Sequence, residues 1–125
     1  MDPARHTILV VDDEFMIVET LAEILEWKGF RVLTASNGRE ALALLEREVP
    51  SVVLLDFMMP VMDGAEVLAE MRKRPALANL PVIVMTAATR TPAGMPAQWN
   101  ALLAKPFGLP ALERALADVL DEKAR

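Results

Sequence analysis

The sequence predicts an α/β fold in which five parallel strands form one open sheet with helices on both faces. Five short apolar runs have the length of strands, at residues 7–11, 31–34, 51–55, 81–85 and 101–104. Four of these runs are nearly continuous in Val, Ile, Leu or Met, which is typical of parallel strands covered on both faces. The segments between the runs mostly have helical spacing, and strands that alternate with helices build a doubly wound sheet.

The first and last helices are predicted from their apolar stripes. Between residues 15 and 27 apolar side chains recur at helical spacing, and Gly29 is placed to end that helix. The last helix is expected to begin at Pro110, because proline suits the first turn of a helix. Its core-facing stripe consists of Leu112, Ala115, Leu116, Val119 and Leu120.

Two capping boxes predict where the second and third helices begin. Asn37 is followed three residues later by Glu40, and Asp63 is followed at the same spacing by Glu66. In such a box the side chain of the first residue accepts a hydrogen bond from the backbone N–H of the residue three positions later. The Glu side chain of that later residue accepts in turn from the backbone N–H of the first. Apolar residues at helical spacing come directly after both pairs, so we expect a helix behind each.

A fourth helix, between the fourth and fifth strands, is expected to be short or distorted. Pro92, Gly94 and Pro96 fall within this segment, residues 87–100, and each opposes a regular helix interior.

Composition and charge limit the classes of function. A chain of 125 residues supports one hydrophobic core, and we expect a single domain that covers residues 1–125. Its 13 basic and 18 acidic residues give a net charge of −5, which disfavours nucleic acid as a partner. Cysteine is absent and no signal peptide or membrane span is recognisable, so we expect a cytoplasmic protein without membrane contact. We expect Met16, Met71 and Met85 to fill the core or its border.

Polar residues follow four of the five predicted strands. Asp12 and Asp13 follow the first strand, Asp56 the third, Thr86 the fourth and Lys105 the fifth. Ligands of open α/β sheets bind outside the carboxyl ends of the strands. If the strand order is 2-1-3-4-5, these four ends lie side by side, and three carboxylates, a hydroxyl and an ammonium share one site.

These groups point to a divalent cation and to phosphoryl transfer. Two carboxylates a few ångströms apart repel each other by about 4 kcal/mol at an effective dielectric constant of about 20, so the cluster needs a counter-ion. Oxygen ligands suit Mg²⁺, whereas zinc would prefer nitrogen and sulfur ligands. A lysine and a hydroxyl beside the metal are typical of phosphoryl transfer, and an aspartate can form an acyl phosphate. Because the third strand is central, Asp56 is the predicted acceptor.

In four stretches the chain resembles the receiver domain of two-component response regulators, and the single-domain chemotaxis-regulator type in particular. The stretches are ILVVDDE at 8–14, LLDFMMPVMDG at 54–64, VIVMTA at 82–87 and AKPF at 104–107. Each stands at the end of a predicted strand, and their order and spacing extend over essentially the whole chain. The resemblance implies a flavodoxin-like sheet with the strand order 2-1-3-4-5.

The resemblance also implies a metal site and a phosphoacceptor. It places Mg²⁺ on Asp13 and Asp56, with Asp12 acting mainly through metal-bound water. The main-chain carbonyl of Met58 would be a further metal ligand. Asp56 would carry the phosphoryl group.

Other matched residues would surround the phosphoryl group. Thr86 would supply a hydroxyl that moves toward the phosphoryl group. The small Ala87 would leave access to that group, and Lys105 would pair with its oxygens. The bond between Lys105 and the next residue resembles the cis peptide of the family. The residues implied to shape the neighbouring turns are Pro60, Gly64 and Pro106.

The sequence departs from the family pattern in its readout residues. Receivers usually carry an aromatic switch residue three positions before the lysine, and here that position is Leu102. The stretch between the fourth-strand hydroxyl residue and the lysine is also a few residues shorter than usual. We therefore expect phosphorylation to reorganise residues 87–100, with Trp99 and Met95 as candidate contacts, instead of turning an aromatic ring.

The function implied by the resemblance is a phosphoacceptor in a two-component phosphorelay. The donor would be a phosphohistidine of a sensor histidine kinase or of a histidine phosphotransfer protein, and the signal would pass to a protein partner. The domain would catalyse only its own phosphorylation and dephosphorylation. No output module is expected after the last helix, so the chain would be a diffusible messenger, a relay intermediate or a receiver excised from a larger protein.

Two other functions stay open. A degenerate receiver binds a partner without being phosphorylated, although such proteins usually lose the acceptor or the acidic pair, and both are present here. A magnesium-dependent phosphohydrolase also forms an aspartyl phosphate. Such enzymes commonly place the nucleophile after the first strand in a D-x-D pattern, whereas Asp12 and Asp13 are adjacent and no segment is long enough for a substrate-covering cap.

Overall fold

Five parallel strands form one sheet in the order β2-β1-β3-β4-β5 in the computed structural model, which describes residues 2–87 and 99–121. The strands are β1 (Thr7–Val11), β2 (Arg31–Ala35), β3 (Val52–Asp56), β4 (Val82–Ala87) and β5 (Ala101–Lys105). The expected fold class and strand order are confirmed. Each strand lies within two residues of the apolar run that predicts it.

The described helices pack on the two faces of this sheet. They are α1 (Phe15–Trp27), α2 (Gly38–Arg47), α3 (Gly64–Lys73) and α4 (Leu109–Leu120), with short 3-10 turns at Pro3–Arg5 and Pro75–Leu77. Helix α4 follows β5 and begins one residue before the predicted Pro110. Residues 88–98, which contain most of the segment predicted as a short or distorted helix, lie outside the described residues. Within the described ranges, no helix has both the length and the apolar character needed to span a bilayer.

Both helices begin where their predicted capping boxes stand, but only one of the two boxes forms both of its hydrogen bonds. Asp63 and Glu66 form both hydrogen bonds of a capping box. Asn37 accepts from the backbone N–H of Glu40 at 2.8 Å, but the Glu40 carboxylate accepts from the backbone N–H of Ser36 instead of reaching Asn37. The box at Asn37 is therefore incomplete, because the Glu40 side chain bonds the backbone of the residue before the N-cap instead of the N-cap itself. The predicted end of the first helix is confirmed, with Gly29 at φ +104° after it.

Alternate side chains of each strand enter two separate apolar cores. Val10, Leu54 and Leu103 pack with α1 and α4, whereas Val11 and Leu55 pack with α2 and α3. Both faces of the sheet are thus covered, which is why the strands have nearly continuous apolar sequences. This layering leaves the carboxyl ends of the strands as the edge where polar side chains can gather.

Two of the three methionines predicted as core filling lie in the core. Met71 and Met85 are fully buried. The prediction for Met16 is wrong, since 70% of its surface is exposed in the first turn of α1. Met16 is next to the core-facing Ile17 in the sequence, but its own side chain points outward. It lies at the N-terminal end of α1, which is the end nearest the carboxyl edge of the sheet.

Candidate acidic site at the carboxyl edge of the sheet

Two buried carboxylates lie side by side at the ends of the two neighbouring strands β1 and β3. Asp12 follows the last residue of β1, and Asp56 is the last residue of β3. The pairing of Val11 with Leu55 puts the two aspartates at the same level of the sheet. Asp12 is fully buried and Asp56 is 3% exposed. Charged groups of this kind are stable in the interior only when partners compensate them.

A third carboxylate completes an acidic cluster. Asp13 is exposed, and carboxylate oxygens of Asp12, Asp13 and Asp56 all lie within 4.8 Å of one another. The structure thus brings together the three acidic residues that the sequence predicts as a cluster. An all-oxygen set of ligands with one solvent-facing member suits a hard cation that keeps part of its water shell, as Mg²⁺ does.

Lys105 reaches this cluster from the edge strand β5. Its ammonium Nζ lies 2.8 Å from Oδ2 of Asp12, 3.4 Å from Oδ1 of Asp56 and 3.6 Å from Oε1 of Glu14. Asp12, Asp56 and Lys105 each come two residues after a strand residue that faces α1 and α4, so they point to the same side of the sheet edge. The ammonium therefore sits among three carboxylates.

The charges of the cluster shift the pKa values of two of its members. Burial, together with the charge of Asp12, raises the pKa of Asp56 to about 7, although Lys105 and the N–H of Met58 act in the opposite direction. Burial lowers the pKa of Lys105, but its hydrogen bond to Asp12 and the charges of Asp56 and Asp12 outweigh burial and leave this pKa raised. The metal-free cluster therefore holds a proton near neutral pH, which a divalent cation would displace.

Thr86 and Ala87 of β4 lie between β3, which carries Asp56, and β5, which carries Lys105. Asp56 pairs with Met85, and Thr86 is the next residue of β4 and is buried. Ala87 pairs with Lys105 and is exposed. The predicted Thr86 and Ala87 are thus at the same edge of the sheet as the acidic cluster.

The turn between β3 and α3 is held close to Asp56. The N–H of Met58 donates to Oδ1 of Asp56 at 3.3 Å, and the N–H of Gly64 donates to the carbonyl of Phe57 at 3.0 Å. A Cβ atom on Gly64 would lie 2.7 Å from Cα of Phe57 and 2.9 Å from the carbonyl oxygen of Asp56. Glycine is therefore required where α3 begins. Pro60 lies exposed in the same turn.

The cis peptide bond that the resemblance implies after Lys105 is present, and the residue at the expected switch position lies on β5. The peptide between Lys105 and Pro106 is cis. Leu102 lies on β5 opposite Val84 and is 41% exposed.

An aromatic contact lies next to Asp56. The ring of Trp99 packs edge-on against Phe57, the residue after Asp56, with centroids 6.4 Å apart. Of the two candidate contacts named from the sequence, Trp99 is thus beside the site, and Met95 lies outside the described residues.

Glu14 is a residue of this site that was not predicted from the sequence. The helical pattern of α1 assigns this residue to a solvent-facing side of the helix, whereas its carboxylate contacts Lys105. The signal that could have found it is its position directly after the acidic pair, because the residue that starts a helix beside a strand end stays near that end.

An apolar groove opens beside Lys105. It lies between α1 and the start of α4 and encloses about 500 Å³. Met16 and Ile17 line one side and Leu112 the other, and the charged residues Glu14 and Lys105 stand at one end. The groove is therefore continuous with the acidic cluster.

Comparison with known proteins agrees with this geometry. Residues 8–117 match the family model of the response regulator receiver domain. The chain is 39% identical over 123 residues to the probable transcriptional regulator ycf27 of Porphyra purpurea, covering 96% of this chain and 49% of that protein. The chain spans about half the length of the curated relatives it matches.

Solved structures share the fold. The chemotaxis protein CheY4 of Vibrio cholerae superposes with a TM-score of 0.83 at 31% identity, over 92% of this chain and 98% of that one. The receiver domain of the sensor histidine kinase PA1611 of Pseudomonas aeruginosa gives a TM-score of 0.83 at 28% identity, over 93% and 98%. That structure has a magnesium ion coordinated in its active site cleft. With the family model matching most of its length, this chain belongs to the response regulator receiver domains of two-component signalling.

Proposed function

We propose that this domain accepts a phosphoryl group on Asp56 from a phosphohistidine, with Mg²⁺ held by Asp13 and Asp56 and, mainly through metal-bound water, by Asp12. The observation that carries the proposal is the convergence of three carboxylates and the ammonium of Lys105 from β1, β3 and β5. A purely structural role for these residues would not explain why two buried carboxylates lie against each other and raise a pKa to about 7.

The residues present fit a magnesium ion. Asp13 and Asp56 would supply carboxylate oxygens, and Asp12 would accept from a metal-bound water. The exposed Asp13 leaves one side open to water and to a phosphoryl oxygen. The main-chain carbonyl of Met58 is the further ligand that the family pattern implies. Magnesium at such a site supplies charge neutralisation for the carboxylates and for the phosphoryl oxygens.

The remaining steps belong to side chains of the domain. A carboxylate oxygen of Asp56 attacks phosphorus, a bond between oxygen and phosphorus forms, and the bond from phosphorus to the histidine nitrogen of the donor breaks. Lys105 then faces a phosphoryl oxygen in place of the Asp56 carboxylate. Thr86 offers its hydroxyl to another oxygen, and the small Ala87 keeps the approach open.

The donor that we propose is a protein, and the groove between α1 and α4 is the surface on which it would dock. The groove ends at Glu14 and Lys105, so a helix in it would bring a phosphohistidine to the acidic cluster. Met16, which is 70% exposed at its border, provides apolar contact area. Charged side chains of the acidic cluster alone would not distinguish one donor from another.

The partner that receives the signal is proposed to be a protein as well. A net charge of −5 opposes contact between this domain and nucleic acid. The name of the Porphyra relative, a probable transcriptional regulator, describes a protein about twice as long as this chain.

Intact-mass spectrometry after incubation with Mg²⁺ and acetyl phosphate tests the proposal. We expect one phosphate adduct on the wild type and on Asp118→Asn, whose substitution lies on the exposed face of α4, and none on Asp56→Asn. Steady release of phosphate from many substrates would indicate a phosphohydrolase. A wild type that takes up no phosphate under any condition would indicate a degenerate receiver.

A further inference from the structure

We propose that Glu14 is a positioning residue that holds Lys105 for phosphoryl transfer. This inference rests on the proposed function, because it concerns the step in which Lys105 meets the phosphoryl group. Glu14 has no place among the metal ligands or among the residues that would touch that group, and it would act through Lys105 alone.

The first observation is that the Lys105 ammonium contacts three carboxylates at once. A lysine ammonium has three N–H donors and no acceptor. Its nitrogen lies 2.8 Å from Asp12, 3.4 Å from Asp56 and 3.6 Å from Glu14. Asp12 and Asp56 are buried below the ammonium, whereas the Glu14 side chain is 63% exposed and approaches from the solvent side. Glu14 therefore restrains Lys105 on the side where it could otherwise turn into water.

The second observation is that Glu14 begins a helix without capping it. Glu14 is the N-cap residue of α1, but its side chain makes no capping hydrogen bond. Its own backbone N–H is instead held by Oδ1 of Asp12 at 2.9 Å. The backbone of Glu14 is thus fixed by the same aspartate that binds Lys105, and its carboxylate is left to contact the ammonium.

These contacts predict what changes when Asp56 is phosphorylated. The carboxylate of Asp56 becomes an acyl phosphate, and the ammonium that faced it meets a phosphoryl oxygen. The contacts from Lys105 to Asp12 and Glu14 persist, so the ammonium is already aimed when the phosphoryl group arrives. Without Glu14 only Asp12 restrains the ammonium beside the phosphoryl group, so part of its ordering falls within the reaction. Holding a group in place beforehand is what accelerates such steps.

A double-mutant cycle tests this role. Rates of phosphorylation by acetyl phosphate at saturating Mg²⁺ are measured for Glu14→Gln, Glu14→Asp, Lys105→Ala and the Glu14→Gln/Lys105→Ala pair. Glu19→Gln, which removes the same charge from an exposed position of α1, is the control. We expect Glu14→Gln to slow the reaction about two- to fivefold, the range of a partly exposed ion pair. Glu14→Asp should recover part of the rate, and Glu19→Gln should match the wild type.

The decisive result is the effect of Glu14→Gln when Lys105 is absent. If Glu14 acts through Lys105, Glu14→Gln makes no further difference in the Lys105→Ala background. An equal effect in both backgrounds, or a faster reaction in Glu14→Gln, would overturn the proposal, since both would mean that the Glu14 charge acts on the donor directly.

A measurement without phosphorylation separates this inference from the proposed function. In ¹⁵N-lysine NMR of the metal-free protein, the ammonium protons of Lys105 should exchange with water faster in Glu14→Gln than in the wild type or Glu19→Gln. Equal exchange would refute the role of Glu14 even if Lys105→Ala is too slow to assay. Failure of the wild type to accept phosphate would instead refute the proposed function.

Discussion

The ammonium of Lys105 lies 2.8 Å from the carboxylate of Asp12, although the two residues are 93 positions apart in the chain. The contact joins β5 to β1 across the ends of β3 and β4, so the lysine side chain passes over Asp56. Asp12 is fully buried, and removing its partner would leave an uncompensated charge in the interior. The acidic site therefore depends on the correct assembly of the whole sheet.

Replacing Lys105 by Met should raise the pKa of Asp56 above its value of about 7 in the metal-free protein, because the lysine charge favours the ionised carboxylate. Carboxyl ¹³C NMR titration of the wild type and the variant measures this pKa. The control is Lys73→Met, since Lys73 forms an exposed ion pair with Glu70. This substitution should leave the pKa of Asp56 unchanged. A lower or unaltered pKa in Lys105→Met would contradict the electrostatic account of the cluster.

The stability of the metal-free protein should depend on pH through Asp56. Its pKa of about 7 in the folded state exceeds the ordinary value of about 4, so folding strengthens proton binding at this carboxyl. The stability contributed by Asp56 is fully present below about pH 4 and is lost as the pH rises towards 7. The raised pKa of Lys105 acts only in strongly alkaline solution, outside this window.

Urea unfolding in EDTA at several pH values checks this dependence. The free energy of unfolding of the wild type should fall relative to that of Asp56→Asn as the pH rises from about 4 to about 7. A constant difference between the two proteins would mean that folding does not raise the pKa of this carboxyl. At a Mg²⁺ concentration 100 times its Kd, the wild type should regain about 2.7 kcal/mol, since the ion binds the folded state.

Gly64→Ala should destabilise the domain by about 1–3 kcal/mol, as overpacking does. The added Cβ would meet backbone atoms of Phe57 and Asp56 at 2.7 and 2.9 Å, and backbone cannot turn away as a side chain can. Helix propensity alone predicts the opposite sign at this first position of α3.

Urea denaturation of Gly108→Ala is the matched control for Gly64→Ala. Apart from the two chain neighbours, a Cβ at Gly108 would first meet Cδ of Pro110, at 3.6 Å, which is ordinary van der Waals contact. Gly108→Ala should lower the free energy of unfolding by less than about 1 kcal/mol, the range for losing glycine at an N-cap. Equal costs at the two positions would show that the β3–α3 turn tolerates the extra atom.

Trp99 should report occupation of the site by a change in fluorescence. The protein has two tryptophans, and Trp27→Phe removes the one that is 87% exposed on α1. In this variant Mg²⁺ with beryllium fluoride should alter the emission, because Trp99 contacts Phe57 and Phe57 adjoins Asp56, the proposed acceptor. Trp99→Phe should abolish the change that the wild type shows. An unchanged spectrum in Trp27→Phe, with binding verified by calorimetry, would exclude Trp99 from the readout.

Met16→Glu should weaken transfer from a phosphohistidine protein without slowing phosphorylation by acetyl phosphate. A charge at the border of the groove opposes burial against an apolar helix, whereas a small donor needs no such surface. Transfer rates from a cognate kinase to the wild type, Met16→Glu and the control Thr34→Glu, on the exposed edge of β2, provide the comparison. Equal slowing with both donors would mean that Met16 supports the acidic site instead.

The elements that could be predicted are those set by short-range patterns. The runs ending at Val11 and Leu55 are continuously apolar because both faces of their strands are covered, and each is recognisable without its neighbours. The helix start at Asp63 was predictable for the same reason, since a capping box is completed within four residues. Met16 was assigned wrongly because the packing of α1 on the sheet decides which of its side chains are buried. The error at Glu40 is local, since its carboxylate accepts from the backbone N–H of Ser36, one residue before the N-cap.

Local patterns in the amino-acid chain were enough to define the strands, most helix ends and the identity of the polar groups at the strand ends. They could not give the position of Glu14 against Lys105, the edge-on packing of Trp99 on Phe57, or the groove between α1 and α4. Each of these joins groups from separate elements, whose distances depend on how the helices pack against the sheet. The raised pKa of Asp56 arises in the same way, since burial and the charge of Asp12 act on it only after β1 and β3 have paired.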